Sequence, residues 1–130
     1  MFLSAHNSAR SQMAEGLLRH LYGDCYLAYS AGVDPAEVDP LTVEVMAERG
    51  IDVSRQKSKS LKELWGTAFD VVAKIRDWDK EPCPFFPQGK RRAHKPLEDP
   101  LVAEGAEERM LALRAARDDL ESWIVETFGR

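Results

Sequence analysis

The opening stretch of the chain constrains the fold more than any other. Met1-Phe2-Leu3 is apolar, Ser4-Ala5-His6-Asn7-Ser8-Ala9-Arg10 is small and polar without a glycine, and Met13, Ala14, Leu17, Leu18 and Leu21 then recur at helical spacing. An apolar run that enters an amphipathic helix through a tight polar turn is the start of a β-α unit, and strands connected through helices pair in parallel. Strands usually run about five or six residues, so the first strand is expected to be short. Gly23 is the natural end of the helix that follows.

The rest of the chain repeats the alternation. Cys25 to Ser30 reads as a second strand, closed by Ala31-Gly32 and the turn residues Asp34-Pro35. Asp39-Pro40 supplies an N-cap and a first-turn proline for a helix through Leu41, Val45 and Met46, ended by Gly50. Ser60-Leu61-Lys62-Glu63 is a capping box for a short helix that Gly66 closes. Phe69 to Ile75 is the clearest strand; a proline-rich loop (Pro82, Pro84, Pro87), a strand near Arg92 to Lys95 and a long helix from Glu104 to Thr127 complete the order. At 130 residues and 44% hydrophobic, the chain suffices for one core and is short for two, so residues 1–130 are expected to form a single domain. The fold class is therefore α/β: a four-stranded parallel sheet with helices on both faces. Such sheets bind ligands beyond the carboxyl ends of their strands, where the Ser4–Arg10 loop begins.

A net charge of −4 argues against nucleic acid and membrane surfaces as partners, despite the basic run Lys90-Arg91-Arg92-Ala93-His94-Lys95. Cys25 and Cys83 are too few for a disulfide scaffold, and no stretch reads as a signal peptide or membrane span, which points to a cytoplasmic, reducing setting.

The loop itself suggests an anion. A helix amino terminus presents unpaired N–H groups and a positive dipole end, and successive loop N–H groups form an anion-binding concavity. Arg10 adds a rigid fork of donors suited to two oxygens of one anion. Asn7 is the loop residue that best tolerates a left-handed backbone, while Ser8 and Ser11 offer hydroxyls toward position 4.

Ser4 through Gly16 resembles the signature loop of low-molecular-weight tyrosine phosphatases and, more closely, of the thioredoxin-coupled arsenate reductases built on that fold. Both families place a cysteine six residues before the arginine, where this chain has Ser4. Tyr29-Ser30-Ala31-Gly32, Gly50-Ile51-Asp52-Val53-Ser54, Ser58-Lys59-Ser60-Leu61, Cys83-Pro84 and Glu98-Asp99-Pro100 are similar to arsenate reductase segments in the same order. The phosphatases usually carry proline where this chain has Gln12.

The resemblance implies the low-molecular-weight phosphatase fold and a tetrahedral oxyanion (arsenate, phosphate or sulfate) cradled by Ser4, Ala5, His6, Asn7, Ser8, Ala9 and Arg10. It assigns the nucleophile's position to Ser4 and the proton donor's to Asp99, and matches Cys83 to the second of two relay cysteines; Arg76 stands at the first. A form with cysteine at position 4 is expected to reduce arsenate to arsenite at the expense of a thiol reductant (thioredoxin, glutaredoxin or a small thiol), with no bound cofactor. The Ser4 form is expected to be inactive, because an alcohol lacks an accessible anion and cannot carry thiol redox states, and His6 has no visible partner to orient it as a base. Alternative readings are a low-molecular-weight tyrosine phosphatase or a non-catalytic anion-binding protein. Related reductases hold potassium through groups matching Asn7, Glu15 and Ser30; here Lys57 and Lys59 fall where that shell would close, so no metal is expected.

Overall fold

The computed structural model describes residues 1–83, 86 and 89–129. Among these, β1 (Phe2–Ser4), β2 (Ser30–Gly32), β3 (Phe69–Arg76) and β4 (Gly89–Pro96) form one sheet in the order β2-β1-β3-β4, and each neighbouring pair is parallel. The α-helices are α1 (Arg10–Tyr22), α2 (Pro40–Ala47) and α3 (Ala106–Phe128), with 3-10 turns at Leu61–Leu64 and Pro100–Val102. The local signals act as their chemistry requires. Asp39 caps α2 by accepting from Leu41 N at 2.9 Å, and Ser60 and Glu63 close a reciprocal capping box.

Two clusters of apolar side chains sandwich the sheet. On one face Phe2, Ala73 and Ile75 pack with Met13 and Leu17 of α1, Leu113, Leu120 and Ile124 of α3, and Val45 and Met46 of α2. Each such side chain contributes about 1.5–3 kcal/mol when fully buried, so this face holds most of the core. On the other face Leu3, Ala31 and Val72 pack against Leu61 of the 3-10 turn and Phe86. Pro84 and Pro87 of the expected proline-rich loop lie outside the described residues.

The second strand lies later than the sequence pattern indicates. Of Cys25 to Ser30 only Ser30 belongs to β2, because the register sets Phe2 against Ser30, Leu3 against Ala31 and Ser4 against Gly32. β1 begins at Phe2, so residues before Tyr29 have no neighbouring strand to bond. The last rung is Phe2 N to Tyr29 O at 2.8 Å, and Leu27 is 83% exposed. β4 starts at Gly89, earlier than expected, and α3 at Ala106, just after Gly105.

All three loops that follow β1, β3 and β4 emerge at the same edge of the sheet, which gathers Ser4–Arg10, residues 77–83 and residues 97–99. The helix α3 is fastened to the end of α2 through Glu48, which accepts from Arg114 Nη2 at 2.8 Å and Arg117 Nη1 at 2.8 Å. Hydrogen bonds from Arg114 and then Arg117 hold the Glu48 pKa at about 2, below its ordinary 4.5. A carboxyl depressed on folding stabilises above its unfolded pKa and loses that contribution as pH falls through the folded one. Glu48→Gln is therefore expected to lower Tm at pH 7, and the gap from the parent protein should close between pH 4.5 and about 2. Thermal melts across that range check it.

Candidate functional site

The loop is held by Asn7. Its backbone is left-handed, φ 50°, and its fully buried amide is bonded on every side. Nδ2 donates to Ser11 Oγ at 2.7 Å and Ser30 Oγ at 2.9 Å; Oδ1 accepts from Gln12 Nε2 at 2.9 Å and Lys59 N at 2.9 Å. The loop presses on Gly32 so closely that a Cβ there would sit 2.9 Å from Asn7 N, leaving space only for glycine. The capping position of α1 is Ala9, which offers no side-chain acceptor, and no acid occupies the first turn. Among the described residues, the backbone N–H groups of Ala5, His6, Ser8 and Ala9 find no hydrogen-bond acceptor. Only the Asn7 N–H is engaged within the loop, by Ser4 Oγ at 3.3 Å. A concavity of strong, unsatisfied donors at a helix amino terminus is suited to an oxyanion.

Ser4 is 2% exposed, and its hydroxyl lies 2.5 Å from Ser11 Oγ. Ser11 thus takes the position the sequence indicated, whereas the Ser8 hydroxyl makes no such contact and the residue's carbonyl accepts instead from Asp39 N at 3.1 Å. His6 is engaged elsewhere than with Ser4: its Nδ1 is 3.0 Å from Asp34 O. No base therefore sits in hydrogen-bond contact with Ser4 among the described residues.

Arg10 is 3% exposed and needs a counter-charge. Glu81, which the sequence reading missed, supplies it as a two-point pair, Nη1 to Oε1 at 2.5 Å and Nη2 to Oε2 at 2.8 Å. Nη1 also donates to Leu97 O at 3.1 Å. Burial pushes the Glu81 pKa up, but donation from Arg10 and from Asp77 N outweighs it, so the net shift is downward. This end-on pairing leaves the Nε edge of Arg10 without a partner among the described residues, on a guanidinium locked in orientation. Asp99 joins the group: its Oδ2 lies 3.8 Å from Arg10 Nη2 while Oδ1 caps the Pro100–Val102 turn through Leu101 N at 3.0 Å. The signal for Glu81 was weak in sequence. A buried arginine calls for an acid, but Glu81 lies 71 residues away.

Cys83 is exposed and not in a disulfide, with Sγ 3.8 Å from Lys74 Nζ. Arg76 donates to Glu81 O at 2.8 Å. The residues matching a potassium shell do not fit the ion: Glu15 accepts from Ser30 Oγ at 2.6 Å and Arg19 at 2.9 Å, and Lys59 places its own ammonium 3.8 Å from Glu15 Oε1 while donating to Lys57 O.

The profile described as low molecular weight phosphotyrosine protein phosphatase matches residues 1–126. An arsenate reductase of Halalkalibacterium halodurans is 38% identical over 129 residues, spanning 98% of this chain and 92% of its own. A solved structure, an arsenate reductase in an oxidized state, superposes with a TM-score of 0.82 at 28% identity, covering 97% of this chain and 92% of that one. Another, an arsenate reductase in a phosphate-binding state, gives 0.77 at 28% identity, over 97% and 95%.

If Glu81 orients Arg10, moving its carboxylate without changing its charge will weaken anion binding. Glu81→Asp is expected to reduce phosphate affinity about tenfold, the equivalent of one charge-assisted hydrogen bond. Calorimetric titration checks this, and unchanged affinity would reduce Glu81 to a charge-balancing role.

Proposed function

The chain belongs to the low molecular weight phosphotyrosine protein phosphatase family, and from that premise we propose that it is an arsenate reductase-like protein whose Ser4–Arg10 loop holds arsenate or phosphate. The observation that carries this reading is the set of loop N–H groups, at Ala5, His6, Ser8 and Ala9, without acceptors among the described residues. Leaving such donors dry costs about 1–3 kcal/mol each, and a tetrahedral oxyanion satisfies several together. Arg10 supplies the charge that makes the anion's desolvation tolerable.

Reducing arsenate to arsenite takes two electrons, which a pair of thiols provides by becoming a disulfide. An alcohol has no such oxidised partner. Ser4 is moreover bonded to Ser11 rather than to a base, so its oxygen is a poor nucleophile. The proposal is therefore a binder in the Ser4 form and a reductase in the cysteine form, with Asp99 delivering the proton to the departing oxygen and a thioredoxin, glutaredoxin or small thiol as donor. A reducing, cytoplasmic setting suits that chemistry.

Thiol-dependent arsenate reduction by the Ser4 protein is expected to be at least about a hundredfold below that of Ser4→Cys. Comparable reduction by the serine form would refute the proposal. Aryl phosphate hydrolysis by Ser4→Cys without arsenate reduction would reassign the site to a phosphatase.

A further inference from the structure

Lys74 and Arg76 point from β3 to the same side of the sheet, opposite the face where Ala73 and Ile75 meet the helices. Lys74 is 6% exposed, and its one hydrogen bond among the described residues is to Cys83 Sγ at 3.8 Å. A buried ammonium is expensive unless it is paired, and sulfur is a weak acceptor. Arg76 stacks over the Trp78 ring at 3.7 Å, donates through Nη1 to Glu81 O, and keeps its Nε buried with no partner among the described residues. The nearby Glu81 carboxylate is committed to Arg10. Two lysines of the neighbouring β4 do meet acids: Lys90 lies 3.7 Å from Asp70 and Lys95 2.7 Å from Asp119.

The positive groups converge. His94 stands opposite Lys74 in the register and 5.4 Å from the Trp78 ring. Arg92 lies two residues before it on the same strand, opposite Val72, and the His94 pKa is lowered by burial and then by Lys74, Arg76 and Arg92. His94 and Arg92 are exposed, so solvent reaches this face beside the exposed Cys83. A carboxylate would satisfy the ammonium and the orphaned Nε–H, and the nucleophile in contact with that ammonium is a thiol.

We propose that Lys74 and Arg76 form a second anion subsite, which seats the carboxylate of an acidic low-molecular-weight disulfide and makes Cys83 the thiol that the disulfide modifies. The Cys83 thiolate attacks one sulfur of the ligand, the ligand's S–S bond breaks, and a Cys83 mixed disulfide forms. The other half leaves as a thiolate and takes up the proton that Cys83 released. The entering disulfide is the oxidant, and one disulfide is exchanged for another. This inference is independent of what the Ser4–Arg10 loop binds.

Cys25, also exposed, provides a comparison thiol in the same molecule. Incubation with glutathione disulfide, followed by peptide mass spectrometry, is expected to label Cys83 at least about tenfold faster than Cys25. In a Cys25→Ser background, Lys74→Met should slow modification by the dianionic 5,5′-dithiobis(2-nitrobenzoate) about tenfold and that by neutral dithiodipyridine less than about threefold, with Lys74→Arg restoring the first rate. Should Lys74→Met fail to fold, the ratio of dianionic to neutral rates in the parent protein decides: it should fall steeply with added salt. Equal labelling of the two cysteines, equal slowing of both reagents, or a salt-independent ratio would overturn the proposal.

Discussion

The side-chain amide of Asn7 ties the loop to the start of α1 and to two segments distant in sequence, at Ser30 and Lys59. Through one buried group the loop is bonded to Ser11 in α1, to Ser30 in β2 and to the backbone of Lys59, while Gln12 bridges its carbonyls to Lys57 O. Gln56 extends the same network by donating to the Gln12 backbone and side chain at 3.0 and 2.8 Å. Each bond is worth about 0.5–1.5 kcal/mol, but stranding any one partner in this dry environment costs about 1–3 kcal/mol, so the network favours a single arrangement. That arrangement includes the left-handed Asn7 backbone, and the left-handed turn directs the neighbouring N–H groups away from the fold's own acceptors.

Parallel strand order supplies the other half of the site. Because every strand runs the same way, the loops after β1, β3 and β4 share one edge, and Arg10, Glu81 and Asp99 meet there from three separate segments. Arg10 is held from behind by Glu81 and Leu97, so its orientation is fixed before any ligand arrives. The same loop that sends Glu81 to Arg10 sets Cys83 against Lys74, so residues 77–83 take part in two separate electrostatic environments.

Much of this was written locally and could be read. The helix of α1, the Asp39-Pro40 start of α2, the Ser60–Glu63 capping box and the apolar run of β3 depend on neighbours a few residues apart, and periodicity and capping chemistry report them directly. The left-handed tendency of Asn7 is likewise a property of one residue. β2 was misplaced because its register is fixed by where β1 begins, not by its own apolar pattern, and Cys25–Tyr29 merely looks strand-like. Glu81 and Lys74 escaped notice for a related reason. Each acquires its meaning from a partner brought close by the fold, Arg10 in one case and Cys83 in the other. Asp99 and Cys83 were visible only through resemblance, since an Asp-Pro pair or a lone cysteine has many structural uses.

With its donors unsatisfied and Arg10 already oriented, the loop from Ser4 to Arg10 is built as a preformed oxyanion cradle. The most direct measurement is a phosphate titration followed by amide nuclear magnetic resonance on the unaltered protein. A preformed cradle predicts saturable shifts concentrated at the N–H groups of residues 5–10, with the Arg10 Nε–H moving in step. Absence of saturable change there, or shifts centred on another part of the chain, would contradict it.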